Sequence, residues 1–597
     1  MSILEGLNNG RSIKQLNIKE LNALCGELRE LIVQTVSENG GHLSSNLGVI
    51  ELTVALHYVF DTEVDKILFD VGHQSYAHKI LSGRFSNFNT LRLKGGVSGF
   101  PDPTESKSDA FLSGHAGTSV SAGLGYCFSR DFLNEDYSVI SVVGDASFFN
   151  GLNLEAMSSA HSKPKKFLII LNDNGMSINK NDNGLYKLVS KITIKKSYNR
   201  FNSFLSKTIG RTFIGRFLKK IKRGIKRSLS SNTIADTLGI KYVGKFDGHN
   251  LKTLIKILSD VKELEQPTLI HLKTVKGKGY EDAEKDSSKF HGVSKGIEPS
   301  FNYFSNGVSK TLIKLKSEEP NIVAITAGMK DGVGLNDFEK SYPESFIDVG
   351  ILEEYAVTLS AGMAISGTKP IVFLYSTFMQ RAYDQILHDV CMQNLPVIFS
   401  IDRAGFVGND GKTHQGLFDI SYLSHMPNLT IFAPKNLQEY ENALKYALKL
   451  NSPVAIRYPS GRIDDKLIET SGDICNYEVI EHGEKNAIIA VGPRTLSLAL
   501  KLRESCDKNL CIINARCIKP LDKNCLLKIK DFNVIVLEEN AKIGGLGSQI
   551  INFYAENSIT ARVKVIAVED KFISHATVLE QLEDAGFTAE NVKKYLV

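Results

Sequence analysis

The sequence lacks the features that most directly place a chain in a membrane, outside the cell or around a structural zinc. No run of about 18 apolar residues occurs in it, so no segment is long enough to span a bilayer as a helix. The N-terminus, MSILEGLNNGRSIKQLN, has no long apolar core of the kind a secretory signal needs. Eight cysteines are present (Cys25, Cys127, Cys391, Cys475, Cys506, Cys511, Cys517, Cys525), and no two stand in CxxC spacing. That argues against a zinc site or a disulfide framework and fits a reducing cytosol, with the cysteines as core residues. An excess of one charge is also missing: the net charge is +5 over 597 residues, too small to point to a nucleic-acid partner. Together these absences predict a soluble, cytoplasmic protein with no transmembrane segment.

What is present is the composition of an ordinary globular protein, 42% hydrophobic and 23% charged. Single cores stop growing at roughly 250–300 residues, so a chain of this length needs several domains. Short apolar runs bounded by Gly, Asp or Asn alternate with helix-length amphipathic segments, the pattern of parallel sheets covered by helices. The first third carries KILFDVG (66–72), YSVISVVGD (137–145) and KFLIILND (166–173). The middle third carries NIVAITAG (321–328), PIVFLYS (370–376), LPVIFSID (395–402), LTIFAP (429–434) and PVAIRYP (453–459). The last third repeats the rhythm with NAIIAVGP (486–493), LCIINAR (510–516), NVIVLEEN (533–540) and VKVIAVED (563–570). An α/β chain of three doubly wound domains follows, at 1–300, 301–474 and 475–597.

One stretch breaks this rhythm. From Lys195 to Arg227 there are twelve Lys and Arg and no acidic residue, with Phe213, Phe217, Leu218, Ile221 and Ile225 at spacings of three to four. Two readings fit it: a basic amphipathic helix on an anionic membrane surface, or a solvated excursion of the first domain, over 180–230, beside a site for an anionic ligand.

The most informative constellation begins at Gly144-Asp145-Ala146, where an apolar strand ends and a helix of roughly 152–162 follows. Ligands of open α/β sheets bind at the carboxyl ends of strands, where helix N-termini gather. Twenty-nine positions after Asp145, a second strand ends in Asn172-Asp173-Asn174-Gly175-Met176. Asp145 and Asn174 then offer a carboxylate and an amide oxygen at one sheet edge, hard ligands that suit Mg²⁺ with diphosphate oxygens completing the octahedron.

This pairing resembles the GDG…N motif of thiamine diphosphate enzymes, with Ala146 in place of the usual second glycine. Further segments extend the resemblance to the 1-deoxy-D-xylulose-5-phosphate synthase family, which is transketolase-like: GGHLSSNLG (40–48), DVGHQSYAHKILSGR (70–84), SGHAGTSVSAGLG (113–125), GKFDGHNL (244–251), TVKGKGYEDAEKD (274–286), YSTFMQRAYDQILHDV (375–390), DRAGFVGNDGKTHQG (402–416) and LEENAKIGGLGSQI (537–550). The resemblance implies two thiamine-diphosphate-binding folds, PP-type then Pyr-type, followed by a C-terminal transketolase-like domain. It implies a homodimer with the site between the first two domains, and a product that feeds isoprenoid and thiamine biosynthesis. Asp145, Asn174 and the carbonyl of Met176 would hold magnesium. His73, Gly114, His115, Ala116, Ala146, Ser147 and Tyr280 would line thiamine diphosphate.

That cofactor needs one buried acid facing its pyrimidine ring, and Glu353 in DVGILEEYAV (348–357) fits, where a strand end meets a helix start. Its neighbour Glu354 is suited to the ordinary role of an acid in a first helical turn. The implied reaction is a transferase step that joins pyruvate to D-glyceraldehyde 3-phosphate with loss of CO₂. Proton transfers near neutral pH favour histidine, and His42, His73, His115, His291 and His414 all stand in family-like segments beside glycines. His42, His291 and His414 are the candidate catalytic histidines, whereas His57, in the apolar helix LTVALHYVF, reads as a core residue. For the phosphorylated acceptor, Arg381 and Arg403 match family positions, with Tyr375 and Asp410 suited to hydroxyl groups. Arg381 equally suits an ion pair with Asp384 on its own helix. Ser460 stands where the family's second phosphate-binding arginine is expected, although Arg462 lies two residues on, and Glu354-Tyr355 replaces a Gln-His pair. These departures leave a transketolase-like carboligase with another donor or acceptor as the alternative.

Overall fold

The computed structural model describes residues 2–160, 164–175, 238–297, 302–464, 467, 470–505 and 509–597. Met176 and the basic stretch 195–227 lie outside the described residues. The chain divides into two compact units, residues 1–89 with 100–297, and residues 90–99 with 298–597.

The first unit is built on a five-stranded sheet: β1 (Lys66–Phe69), β2 (Val139–Gly144), β3 (Phe167–Asp173), β4 (Lys241–Asp247) and β5 (Thr268–Lys273). Their spatial order is β1-β2-β3-β5-β4 and every pairing is parallel. Parallel sheets are covered on both faces, which is why VISVVG and FLIILND are continuous apolar runs, almost wholly buried, rather than alternating ones. The register puts Gly144 opposite Asn172, so β2 and β3 end side by side. A helical turn, Asp145–Phe148, follows β2 directly, and the longer helix Gly151–Ser159 is capped by Asn150, whose side chain accepts from Leu152 N.

The second unit holds two sheets. The first runs β15-β10-β11-β9-β8-β6-β7, from β6 (Ile322–Thr326), β7 (Phe346–Asp348), β8 (Lys369–Tyr375), β9 (Ile398–Asp402), β10 (Thr430–Phe432) and β11 (Val454–Arg457), with β15 (Cys517–Lys519) antiparallel at one edge. The other runs β12-β14-β13-β16-β17, from β12 (Glu478–Glu481), β13 (Asn486–Val491), β14 (Cys511–Asn514), β16 (Asn533–Ala541) and β17 (Arg562–Val568). Sequence rhythm separates the two sheets near residue 475, but packing joins them. β15 crosses back to pair with β10, and one apolar core includes Ile322, Phe373 and Phe432 from one sheet and Ile489, Ile513 and Val536 from the other.

Among the described residues no helix is long and apolar enough to cross a membrane. Six of the described cysteines are buried and Cys475 is half-buried, each with a free thiol. His57 is buried, as its apolar helix predicts, with Nε2 2.9 Å from His78 Nδ1.

Candidate active site

In the first unit the ends of β1, β2, β3 and β5 converge. Asp145 is buried at the end of β2. Its Oδ2 accepts from Gly175 N at 2.8 Å and its Oδ1 from Ala146 N at 3.0 Å. The predicted partner strands therefore meet, since Gly175 directly follows Asn174. Burial, reinforced by the charge of Asp173, pushes Asp145 up to about 7. Lys276, buried in the turn after β5, is pushed down to about 8 by burial, with Asp145 acting in the opposite direction. A dehydrated carboxyl and a dehydrated ammonium at one strand edge form a site that a bound divalent cation and an anion would complete electrostatically.

The supports around this edge are specific. Asn172 Oδ1 accepts from Thr274 Oγ1 at 2.5 Å. Against the cost of burial, bonds from His271 Nε2, at 2.8 Å, and from the Lys245 ammonium hold Asp173 well below the usual carboxylate range. His271 Nε2 donates there, so its Nδ1 accepts from the Tyr242 hydroxyl, 2.8 Å away. Asp70, just after β1, accepts from Gly117 N at 3.0 Å, Ser119 N at 2.9 Å and the Ser147 hydroxyl. It thereby fixes the loop that carries Gly114, His115 and Ala116. Ser147, expected to touch the cofactor, has its hydroxyl committed to Asp70. Gly72 has φ +85°, and a Cβ there would stand 2.6 Å from Ser113 Cβ and 2.7 Å from Pro101 Cδ. A side chain at 72 would therefore push the His73 turn away from the 114–116 loop.

His42, His73 and His291 gather as a triangle of rings, with centroids 5.2–5.5 Å apart. His291 Nδ1 lies 3.1 Å from Ser45 Oγ, and burial, aided by Lys276 and the other two rings, holds it well below the ordinary histidine value. Tyr280 caps the helix Glu281–Lys285 and meets Phe290 edge-on. Its turn is braced from behind. Val275 N donates to His249 Nε2 at 2.8 Å, so the other ring nitrogen carries the proton and donates to Glu51 at 2.9 Å. Arg29 binds both Glu51 and the Lys278 carbonyl.

In the second unit Glu353 opens the helix Glu353–Ile365 just after β7. Asp348 Oδ1 shapes that turn by accepting from Gly328 N and Gly350 N. Glu353 is 3% exposed, and burial pushes it from 4.5 to about 7 against the opposing effect of Arg381, whose Nη1 is 3.4 Å away. Arg381 also comes within 3.9 Å of half-buried Glu354. Arg403 lies on the ring of Tyr375, 3.9 Å from its centroid, and donates to Asp402 Oδ2 at 2.7 Å and the Gly332 carbonyl at 2.9 Å. Phe378 stacks on Tyr375 and meets His414 edge-on. Burial lowers His414 against the opposing charge of Asp410, and Asp410 in turn pairs with Arg92 Nη2 at 2.8 Å. The Ser460 carbonyl accepts from Arg494 Nη2 at 2.7 Å.

Sequence reasoning did not single out Asp70, Lys276 or Arg92. Asp70 and Lys276 each sit one to three residues past a strand end, inside segments that already carried the family resemblance. Arg92 had no comparable signal.

Three family models match the chain in succession: 1-deoxy-D-xylulose-5-phosphate synthase over residues 4–274, transketolase pyrimidine binding domain over 303–464, and transketolase C-terminal domain over 476–592. A 1-deoxy-D-xylulose-5-phosphate synthase of Clostridium tetani is 44% identical over 98% of this chain and 97% of its own length. One from Clostridium perfringens is 45% identical over 100% of this chain and 99% of its own length. Among solved structures, a transketolase from Campylobacter jejuni is 18% identical with a TM-score of 0.43, covering 97% of this chain and 99% of that one. With relatives this similar over its whole length, the chain belongs to the 1-deoxy-D-xylulose-5-phosphate synthase family.

Proposed function

We propose that this protein condenses pyruvate with D-glyceraldehyde 3-phosphate, releasing CO₂ and forming 1-deoxy-D-xylulose 5-phosphate, with thiamine diphosphate and Mg²⁺ bound. The observation that carries the cofactor half of this reading is the buried Asp145, tied to the backbone of Gly175 at the paired ends of β2 and β3. Its oxygen donors suit magnesium, and the neighbouring Lys276 ammonium suits a diphosphate. Asp145 and Asn174 would hold the metal, with the carbonyl of Met176, which lies outside the described residues, as the third expected ligand. His73, Gly114, His115, Ala116, Ala146 and Tyr280 line the cofactor, while Ser147 acts through Asp70 to hold the loop.

Thiamine diphosphate, when bound, supplies the carbon nucleophile that pyruvate decarboxylation and aldehyde addition both need. The residues of the chain do the rest. Glu353, held protonated near neutral pH by burial, keeps a proton at its carboxyl for the pyrimidine ring. His291, kept neutral by burial and held through Nδ1 beside Ser45, is the proposed proton-transfer group of this cluster, with His42 and His73 packed around it. His414 serves the same purpose in the second unit. Arg403 and Arg381 provide the cationic side for the acceptor phosphate, and Tyr375 and Asp410 provide the polar groups for its hydroxyls. The same reading makes the protein a cytoplasmic homodimer, which the exposed apolar side chains Tyr355, Ile365 and Met392 support.

The product assay tests this directly. CO₂ release from pyruvate is expected to rise when glyceraldehyde 3-phosphate is added, with one 1-deoxy-D-xylulose 5-phosphate formed per CO₂. Ketose turnover without CO₂ release would instead assign a transketolase-like reaction and sink the proposal.

A further inference from the structure

The loop after β9 carries two of the acceptor-side residues, Arg403 and Asp410, yet it has little regular structure of its own. Within it there is one antiparallel bridge, Gly405 to Gly416, and a single helical turn, Gly411–Thr413. Backbone N–H and C=O groups in such a buried loop still need partners. Residues of the C-terminal segment supply them. Gln581 binds both sides of Gly408, accepting from its N–H at 2.9 Å and donating to its carbonyl at 2.9 Å, while also donating to Ser574 O. Glu539 accepts from Phe406 N at 3.1 Å, and Arg494 donates to Phe406 O at 3.0 Å and to Glu539 at 2.8 Å.

Packing repeats the message. Phe406 is fully buried in the core of the C-terminal sheet, beside Ile488, Leu496 and Leu537, and its ring meets Phe587 at 5.8 Å. Gly405, at φ +84°, allows Glu539 to approach: a Cβ there would stand 2.5 Å from Glu539 Oε2. Arg494 also reaches Ser460 O, so one guanidinium ties the acceptor loop to the segment that carries Ser460.

We propose that Arg494, Glu539 and Gln581 are positioning residues for the acceptor: they hold residues 405–408 so that Arg403 and Asp410 keep the geometry that recognises the phosphorylated aldehyde. The C-terminal segment thereby sets acceptor affinity without touching the substrate. This rests on the reaction proposed above, and the experiment separates the two.

Full-length Gln581→Leu and Arg494→Met, with Gln581→Asn and Arg494→Lys as conservative partners, are compared with wild type. The expected result is a rise of about tenfold in KM for glyceraldehyde 3-phosphate in Gln581→Leu and Arg494→Met, the size of one or two lost positioning contacts, with kcat and the pyruvate KM within about threefold. The conservative variants should recover part of the loss. Amide exchange across 403–416 should quicken in Gln581→Leu and Arg494→Met, a readout that needs no substrate. If wild type forms no product with this aldehyde, the reaction assignment fails while exchange still decides the brace. Unchanged exchange overturns the inference, as does an acceptor KM that stays put or moves only together with the pyruvate KM, kcat and melting temperature. Should Gln581→Leu or Arg494→Met fail to fold, Gln581→Asn and Arg494→Lys carry the same tests.

Discussion

Glu353→Gln is expected to lower kcat by roughly 10²- to 10⁴-fold, the span usual for a lost acid–base group, while cofactor binding persists. The argument is local. Glu353 is the first residue of its helix and its carboxyl is almost fully removed from water, so burial raises it from 4.5 to about 7 despite the Arg381 guanidinium 3.4 Å away. A carboxyl that titrates near neutral pH can give up and take back its proton, which an amide of the same shape, although it donates and accepts hydrogen bonds, cannot do. The shift also has a thermodynamic sign. Because the folded protein holds this proton more tightly than the unfolded chain, stability contributed by the protonated carboxyl is present below about pH 4.5. It is lost progressively as pH rises to about 7. Glutamine has no proton to lose. The apoprotein carrying Glu353→Gln should therefore be more stable than wild type at pH 8, by up to about 3 kcal/mol, and lose most of that advantage at pH 5. Melting temperatures of the two apoproteins at both pH values check this. A variant that keeps wild-type kcat, or a stability difference that does not change with pH, would remove Glu353 from the role.

How much of this was legible in the sequence depends on distance along the chain. Every apolar run that reads as a strand became one, because a parallel strand covered on both faces must be apolar throughout. The strands not anticipated were mostly edges: β4, β7, β12 and β15 each end a sheet, where one side is open and polar residues are tolerated. β5 is the exception. It lies inside its sheet but carries His271, whose bond to Asp173 interrupts the apolar pattern. That the strand ends carrying Asp145 and Asn174 meet was legible because strand ends are local features and the register of two neighbouring strands brings Gly144 and Asn172 together. Asp70 was not, since its value lies in partners far along the chain, Gly117, Ser119 and Ser147. Arg92 was hidden for a stronger reason: residues 90–99 leave the first unit and pack with the second, and no local pattern announces that exchange. The same holds for Arg494, an ordinary helix residue by sequence, whose guanidinium ties Ser460 to Phe406.

Asp145→Asn should abolish most of the thermal stabilisation that thiamine diphosphate with Mg²⁺ gives the wild type. The substitution keeps the shape and one acceptor oxygen for Gly175 N, so the paired ends of β2 and β3 stay closed. What it removes is the negative charge a magnesium ion requires. Supporting residues around metal sites commonly cost about 10- to 100-fold in affinity, so a direct ligand should cost at least about a hundredfold. For wild type at about a thousand times Kd, ligand binding contributes about 4 kcal/mol, and a hundredfold loss leaves about 1.4 kcal/mol. The melting-temperature rise on adding both cofactors should shrink accordingly, and chelating magnesium should have the same effect on wild type but little on the variant. The apoprotein should show the opposite trend. Burial and the charge of Asp173 hold Asp145 near 7, so its ionisation costs stability as pH rises from 3.8 to about 7, and asparagine escapes that cost. Protons also compete with the metal for the carboxylate, so magnesium-dependent cofactor uptake by wild type should weaken as pH falls below about 7. Retention of the full cofactor-induced shift by Asp145→Asn would show that the metal is held elsewhere.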